Sequence, residues 1–209
     1  MTKPMLNGGL YAITPDLKDT ELLLKKVESA LQAGISLLQY RDKISAKSTL
    51  LERANAMHAL CETYGAPLII NDDPALALAC GAEGVHLGQT DHSIQHARQL
   101  LGDDAIIGST CHHQLSLALD AQAEGADYVA FGRFFNSNSK PGAPLATTEL
   151  LVQAKTRLSI PVVAIGGIHH SNAQTLVDKG ADYVAVIEQI FLANGIKNNC
   201  QRFNRLFKP

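Results

Sequence analysis

The sequence carries no surplus of either charge. Its 18 Lys and Arg stand against 20 Asp and Glu in 209 residues, a formal net charge of −2. That balance argues against nucleic acid as a main partner, because phosphate-backbone binding calls for a basic patch. Long hydrophobic runs are missing as well: none approaches the ~18–20 residues a membrane span needs. Met1 to Gly9 has neither an apolar leader core nor a cleavage signal, so a cytoplasmic protein is expected. Cysteine is sparse and scattered. Cys61, Cys80, Cys111 and Cys200 form no C-x-x-C pair, and they read as reduced thiols packed as small hydrophobes. Absent too is a dinucleotide-type glycine fingerprint after the first apolar run, Leu10-Tyr-Ala-Ile-Thr-Pro15.

What is there begins with residues 67–91, PLIINDDPALALACGAEGVHLGQTD. The apolar run Pro67–Ile70 ends on Asn71, Asp72 and Asp73. Pro74 opens a helical stretch that stops at Gly81. A second apolar run, Gly84–Leu87, ends in Gly88, Gln89 and then Asp91. Two short apolar strands joined by about a dozen helical residues make a βαβ unit with parallel strands buried on both faces. Both polar clusters then emerge at the carboxyl edge of the sheet, which brings Asp72 and Asp91 to one side.

A phrase recurs elsewhere: Gly81-Ala-Glu-Gly-Val85, Gly125-Ala-Asp-Tyr-Val129 and Gly180-Ala-Asp-Tyr-Val184, with Ala33-Gly34-Ile35 a looser copy. Glycine suits the end of a helix, and the residues after it favour strand. The repetition means a regularly wound parallel sheet. Eight strands follow: Leu10–Ile13, Ser36–Tyr40, Leu68–Ile70, Val85–Leu87, Ile106–Gly108, Tyr128–Phe131, Val162–Ile165 and Val184–Ile187. Helical patterns fill the gaps, and a last one runs toward Phe207. The expected fold is an α/β (βα)8 TIM barrel, one compact domain over residues 1–209, near the lower size limit for that architecture. An open doubly wound sheet is the rival; it usually has fewer strands and the missing fingerprint.

Active sites of such barrels lie just past the strands. Strand 2 leads into Gln39, Arg41 and Lys43, strand 3 into Asn71 and Asp72, and strand 4 into Gln89 and Asp91. Strand 5 gives Ser109 and Thr110, strand 6 leads to Ser137, Ser139 and Lys140, strand 7 to Gly166-Gly167, and strand 8 to Ile187-Glu188. Two carboxylates among three cations suggest a divalent metal with a polyanion, since Mg²⁺ binds through one or two carboxylates plus substrate phosphate oxygens. Bland readings stand beside this. Asp73 before Pro74 already suits the helix cap, which leaves Asp72 spare. Asp91 could cap the next helix, Arg41-Asp42-Lys43 alone is a solvated charged loop, and Lys140 lies in a linker-like SNSKPGAP stretch. Gly166-Gly167 is a tight turn or a phosphate seat. The histidines lack the converging ligand pattern of a zinc site. Cys111 has no orienting partner for a nucleophile.

Five stretches carry a resemblance over about Gly9 to Phe191: Leu38-Gln-Tyr-Arg-Asp-Lys43, Ile70-Asn-Asp72, Gly84-Val-His-Leu-Gly-Gln-Thr-Asp91, Phe131–Pro141 and Val163-Ala-Ile-Gly-Gly-Ile168. Together they resemble the thiamine-phosphate synthase family. The resemblance implies a (βα)8 transferase that joins a hydroxymethylpyrimidine diphosphate to a thiazole phosphate with Mg²⁺. Carried over by position, it implies Asp72 and Asp91 as metal ligands, and Arg41, Lys43, Asn71 and Lys140 on the diphosphate. Of these Arg41, Lys43 and Lys140 are the catalytic set. Gln39 would contact the pyrimidine, with Tyr40, Asp42 and Asn138 among the substrate-binding stretches. Thr110 stands where the family commonly has serine, Ser137 and Ser139 replace the threonines of a TxTK pattern, and Gly167 with the Ile187-Glu188 backbone matches the thiazole-phosphate contacts. Glu188 departs from the family's serine. A thiazole tautomerase-like isomerase or a non-catalytic phosphate sensor on the same barrel are the alternatives. The expected partners are small-molecule substrates, with no nucleic acid and no membrane; a homo-oligomer is compatible with the sequence.

Overall fold

Strand and helix alternate as far as the eighth strand in the computed structural model, which describes residues 3–136 and 144–207. The strands are β1 (Gly9–Ile13), β2 (Leu37–Tyr40), β3 (Leu68–Asn71), β4 (Gly84–Leu87), β5 (Ile106–His112), β6 (Tyr128–Gly132), β7 (Val162–Ile165) and β8 (Tyr183–Val186). The helices are α1 (Thr20–Gln32), α2 (Lys47–Tyr64), α3 (Pro74–Cys80), α4 (Ile94–Leu101), α5 (Leu115–Ala123), α6 (Thr148–Arg157), α7 (Ala173–Asp178), α8 (Glu188–Phe191) and α9 (Ile196–Asn204). The strands form a closed barrel in chain order, and β8 pairs in parallel with β1. Among the described residues no helix is long and apolar enough to cross a membrane.

The signals that start and stop these elements are local. Asp19, Asp73 and Ser93 each accept a hydrogen bond from the backbone N–H three residues on, opening α1, α3 and α4, and each such bond satisfies an otherwise orphan donor. Gly81 ends α3 in the left-handed conformation (φ 73°). Gly34, Gly125 and Gly180, the other copies of the repeated phrase, also have positive φ. The helix–glycine–strand reading therefore rests on a real conformational demand.

Two apolar layers result. The larger lies between sheet and helices and includes Leu10, Leu38, Met57, Ile70, Phe131 and Phe203. The smaller fills the barrel and includes Tyr11, Leu37, Ile69, Ile106, Tyr128 and Tyr183. Alternation along each strand decides which layer a side chain joins.

Two stretches depart from expectation. β5 runs to His112, four residues past its expected end, because it keeps pairing with β6 through a register shift between Thr110 and His112. His112 sits there at φ 49°. The final helical stretch splits into α8 and α9, with Gly195 at φ 76° before α9. Asn204 at the end of α9 donates to the carbonyls of Ala33 and Gly34 at 2.9 and 3.0 Å. At the amino-terminal face of the barrel, Asn7, Gly8, Asp182, Leu206 and Phe207 line one shallow cleft.

Candidate active site

Reading inward positions along the strands leads directly to the cup at the carboxyl end. On β2 the layer below it is Leu37, next comes Gln39, and the following inward residue is Arg41. Gln39 is 3% exposed and donates from Nε2 to the Tyr11 hydroxyl at 2.8 Å. Arg41 is fixed through its backbone: the Thr14 hydroxyl accepts from Arg41 N–H and donates to Arg41 C=O, both at 2.9 Å. Its guanidinium donates to Asp16 Oδ2 at 2.8 Å, and Asp16 Oδ1 accepts from Lys43 N–H at 2.8 Å. Asp16 thus ties the loop after β1 to the loop after β2.

Tyr40 and Asp42, expected among the substrate-binding residues, turn their side chains toward the helices and leave only their backbone at the cup. Tyr40 belongs to the layer between sheet and helices, and its hydroxyl donates to Asp42 Oδ2 at 3.1 Å. The Asp42 side chain is 1% exposed against Arg53 of α2, itself 2% exposed, at 2.8 Å. Asp42 Oδ1 accepts from Ile44 and Ser45 N–H, both at 3.0 Å. Burial raises the Asp42 carboxyl, but hydrogen bonds from Ser45, Ile44 and Tyr40 outweigh it and hold it below its ordinary value. Alternation is the reason: two inward residues, Gln39 and Arg41, put Tyr40 and Asp42 outward. Of the triplet that reads as a solvated charged loop, Asp42 is thus withdrawn from solvent, while Lys43 stays half exposed.

The paired carboxylates do meet. Asp73 caps α3, so Asp72 is spare as expected, and it is held at φ 66° with its N–H on the His86 carbonyl at 2.8 Å. Ser93 caps α4, which frees Asp91; its Oδ2 accepts from Gly88 N–H at 2.7 Å. The Lys43 ammonium rests on Asp72 Oδ2. The Asp72 and Asp91 carboxyls are near enough for each to shift the other's hold on its proton. For Asp72, burial pushes up, but the hydrogen bonds of Lys43 and Asp91 and the Lys43 charge win and lower it. For Asp91, burial and the neighbouring Asp72 carboxylate raise it, against the Gly88 N–H. Two facing carboxylates competing for one cation and one proton suit a hard divalent ion such as Mg²⁺, which completes its shell with water and phosphate oxygen. No group of three or more His, Cys, Asp or Glu converges on a metal position among the described residues.

Across the cup, His86 Nε2 and the Thr110 hydroxyl meet at 2.8 Å, and Gln89 donates to the Thr110 carbonyl at 2.5 Å. Cys111, next to it, is fully buried, and burial pushes its thiol up to about 12. Gly166 and Gly167 have φ of 101° and 65°. A Cβ at Gly166 would lie 2.3 Å from Arg133 Cβ, and one at Gly167 2.3 Å from the Asn136 carbonyl. The pair is thus required by close approach of the loop after β6. Gly167 and Ile187 top adjacent strands, and Glu188 opens α8. Ser137, Asn138, Ser139 and Lys140 lie outside the described residues.

Thr14, Asp16, Arg53 and His86 escaped the sequence reading. Inward periodicity could have flagged His86, a polar residue between Val85 and Leu87 in an apolar strand. Arg53 had no local signal.

The chain is similar to known proteins over nearly its whole length. A family model described as thiamine monophosphate synthase matches residues 10–190. A thiamine-phosphate synthase of Marinobacter nauticus is 49% identical over 208 residues, 98% of this chain and 93% of that protein. One from Thioalkalivibrio sulfidiphilus is 50% identical over 201 residues, covering 96% and 95%. A solved thiamine phosphate pyrophosphorylase of Pyrococcus furiosus superposes with a TM-score of 0.86 at 31% identity, over 96% of each chain.

Proposed function

The chain belongs to the thiamine monophosphate synthase family, a transferase family, and from that premise we propose how its cup works. The substrates are 4-amino-2-methyl-5-(diphosphooxymethyl)pyrimidine and 4-methyl-5-(2-phosphoethyl)thiazole, and the products are thiamine phosphate and pyrophosphate. The observation that carries this reading is the neighbouring pair Asp72 and Asp91, with the Lys43 ammonium on Asp72 and Arg41 tied to the same loop through Asp16.

Each residue type suits a dissociative substitution. The methylene C–O bond breaks, and its electron pair leaves with the diphosphate. The aminopyrimidine delocalises the cation left behind, so no protein nucleophile is needed. Arg41, Lys43, Asn71 and Lys140 hold the departing diphosphate, where fixed cations lower the barrier as charge develops. Asp72 and Asp91 would hold Mg²⁺, which when bound supplies Lewis-acid stabilisation of the leaving oxygens. Gln39 and Thr110 hold the pyrimidine. Backbone N–H groups at Gly167 and the Ile187-Glu188 step seat the thiazole phosphate, so that the ring nitrogen is aligned to form the new C–N bond.

The test is incubation of the protein with both substrates and Mg²⁺, following thiamine phosphate and pyrophosphate by chromatography. Equimolar appearance of the two is expected. Pyrophosphate released without thiamine phosphate, or no turnover at all, would overturn the reading.

A further inference from the structure

Beneath the cup, a single file of hydrogen bonds crosses the barrel interior. Gln39 Nε2 donates to the Tyr11 hydroxyl at 2.8 Å, and the Tyr11 and Tyr128 hydroxyls meet at 2.8 Å. Tyr128 meets His86 Nδ1 at 2.9 Å, and His86 Nε2 meets the Thr110 hydroxyl at 2.8 Å. Five side chains on β2, β1, β6, β4 and β5 are thereby joined end to end. The middle is sealed: Tyr11 is 1% exposed, Tyr128 0% and His86 9%. Packing holds it in place as well. The Tyr11 and Tyr128 rings cross at 83°, and His86 stacks on Tyr128 at 15°. A Cβ at Gly108 would lie 2.0 Å from Tyr128 Cζ, so the missing side chain at that position makes room for the ring.

With a neutral His86, hydrogen counting allows this file two complete polarities. Burial pushes both phenols well above their ordinary range, so each keeps one hydrogen. A neutral imidazole has one N–H, and it cannot donate at both nitrogens. If Gln39 donates to Tyr11, then Tyr11 donates to Tyr128, Tyr128 to His86 Nδ1, and His86 Nε2–H to Thr110. Gln39 then keeps its carbonyl oxygen and second N–H for a ligand, and Thr110 keeps its hydroxyl hydrogen. In the reverse polarity the Gln39 oxygen is consumed by Tyr11, and its amide offers only donors. Any mixed arrangement sets two hydrogens in one contact, leaves a contact with none, or leaves a buried hydroxyl without an acceptor.

We infer that Tyr11, Tyr128 and His86 are positioning residues that set the hydrogen-bond polarity of Gln39 and Thr110, and so select an aminopyrimidine over an oxopyrimidine. An aminopyrimidine edge offers an N–H donor beside a ring-nitrogen acceptor. The forward polarity meets it with a carbonyl oxygen and N–H or O–H donors; the reverse polarity meets a ring carbonyl instead. This rests on the proposed pyrimidine substrate, but the polarity itself is a property of the ligand-free protein.

Two measurements on the full chain test it. Long-range ¹H–¹⁵N spectra of ¹⁵N-histidine-labelled protein, with His86 assigned from a His86→Asn sample, read the tautomer directly. Nε2–H with unprotonated Nδ1 is expected, and Nδ1–H would overturn the inference. Calorimetric Kd values are then compared for the aminopyrimidine diphosphate and the analogue carrying a ring carbonyl in place of the amino group, with inorganic pyrophosphate as the control. Tyr128→Phe and, separately, Tyr11→Phe should each cut the amino-over-oxo preference at least tenfold, and leave pyrophosphate affinity within twofold. A preference within twofold of wild type in both variants would overturn the role, as would an equal loss for all three ligands. A wild-type protein that binds pyrophosphate but neither pyrimidine would sink the substrate reading, while the tautomer would still report the polarity.

Discussion

Asp42 and Arg53 show how much can hang on one side chain that touches no ligand. Arg53 donates to Asp42 and Ser45 after β2, and to the Leu17 and Lys18 carbonyls and the Thr20 hydroxyl after β1. It is the post around which the loops after β1 and β2 are wound. Removing one partner of such a buried pair typically costs about 3–5 kcal/mol, because the other charge is left unpaired. Asp42→Ala should therefore lower Tm by roughly 10 °C in a chain of this size, and weaken pyrophosphate binding more than thiazole-phosphate binding. The pH dependence has a definite sign. The folded Asp42 carboxyl lies below its unfolded value, so its stabilisation is full above that unfolded value, ~4, and fades as pH falls through the folded one. Urea midpoints of wild type and Asp42→Asn between pH 3 and 7 should converge at the acid end; parallel curves would contradict the assignment. Glu188 poses the opposite case, a carboxylate at the proposed phosphate seat. A working seat turns that side chain away and uses the backbone N–H, so Glu188→Ser should shift thiazole-phosphate Kd less than about fivefold, under ~1 kcal/mol. A much larger gain in affinity would mean that the carboxylate faces the ligand.

At the scale of elements, the sequence was readable wherever one local signal decided the outcome. The repeated glycine phrase marked where helices end, and Asp73-Pro74 marked where α3 begins. Signals failed where a partner element decided. Thr110 to His112 looks polar enough to end a strand, yet β6 carries the pairing onward through the register shift. Alternation turns Asp42 outward, but whether it meets solvent or a buried partner depended on Arg53 of α2. Gly84 is a further instance: it reads as a routine strand start, but a Cβ there would fall 2.0 Å from the Ile106 carbonyl oxygen on β5. Its backbone does not need glycine, so the demand is space alone. Overpacking of this kind costs about 1–3 kcal/mol. Gly84→Ala should therefore lower Tm by roughly 5 °C by calorimetry, whereas an unchanged Tm would show that β4 and β5 can part without penalty.

For the whole molecule, eight short strands in order were enough to imply the ring, because parallel strands with helical crossovers leave few other arrangements. The sequence could not say how the ring is fastened. β8 zips to β1 at Gly9–Tyr183 through Ala12–Val186, and Asn204 clips α9 onto the end of α1. Asn204→Ala should cost about 0.5–1.5 kcal/mol, the usual net contribution of a hydrogen bond whose groups water can still reach; urea unfolding would register it. The cleft that Asn7 and Gly8 share with Leu206 and Phe207 has one more consequence. A ring closed strand to strand has no privileged starting point, so the order in which the gene spells it is one of several that would serve. A circular permutant joined through a short glycine linker across that cleft, and opened between the exposed Asp103 and Asp104 on the face away from the cup, should keep its turnover. Loss of the fold in that permutant would mean that the direction of synthesis, and not the closed ring, is what brings the barrel together.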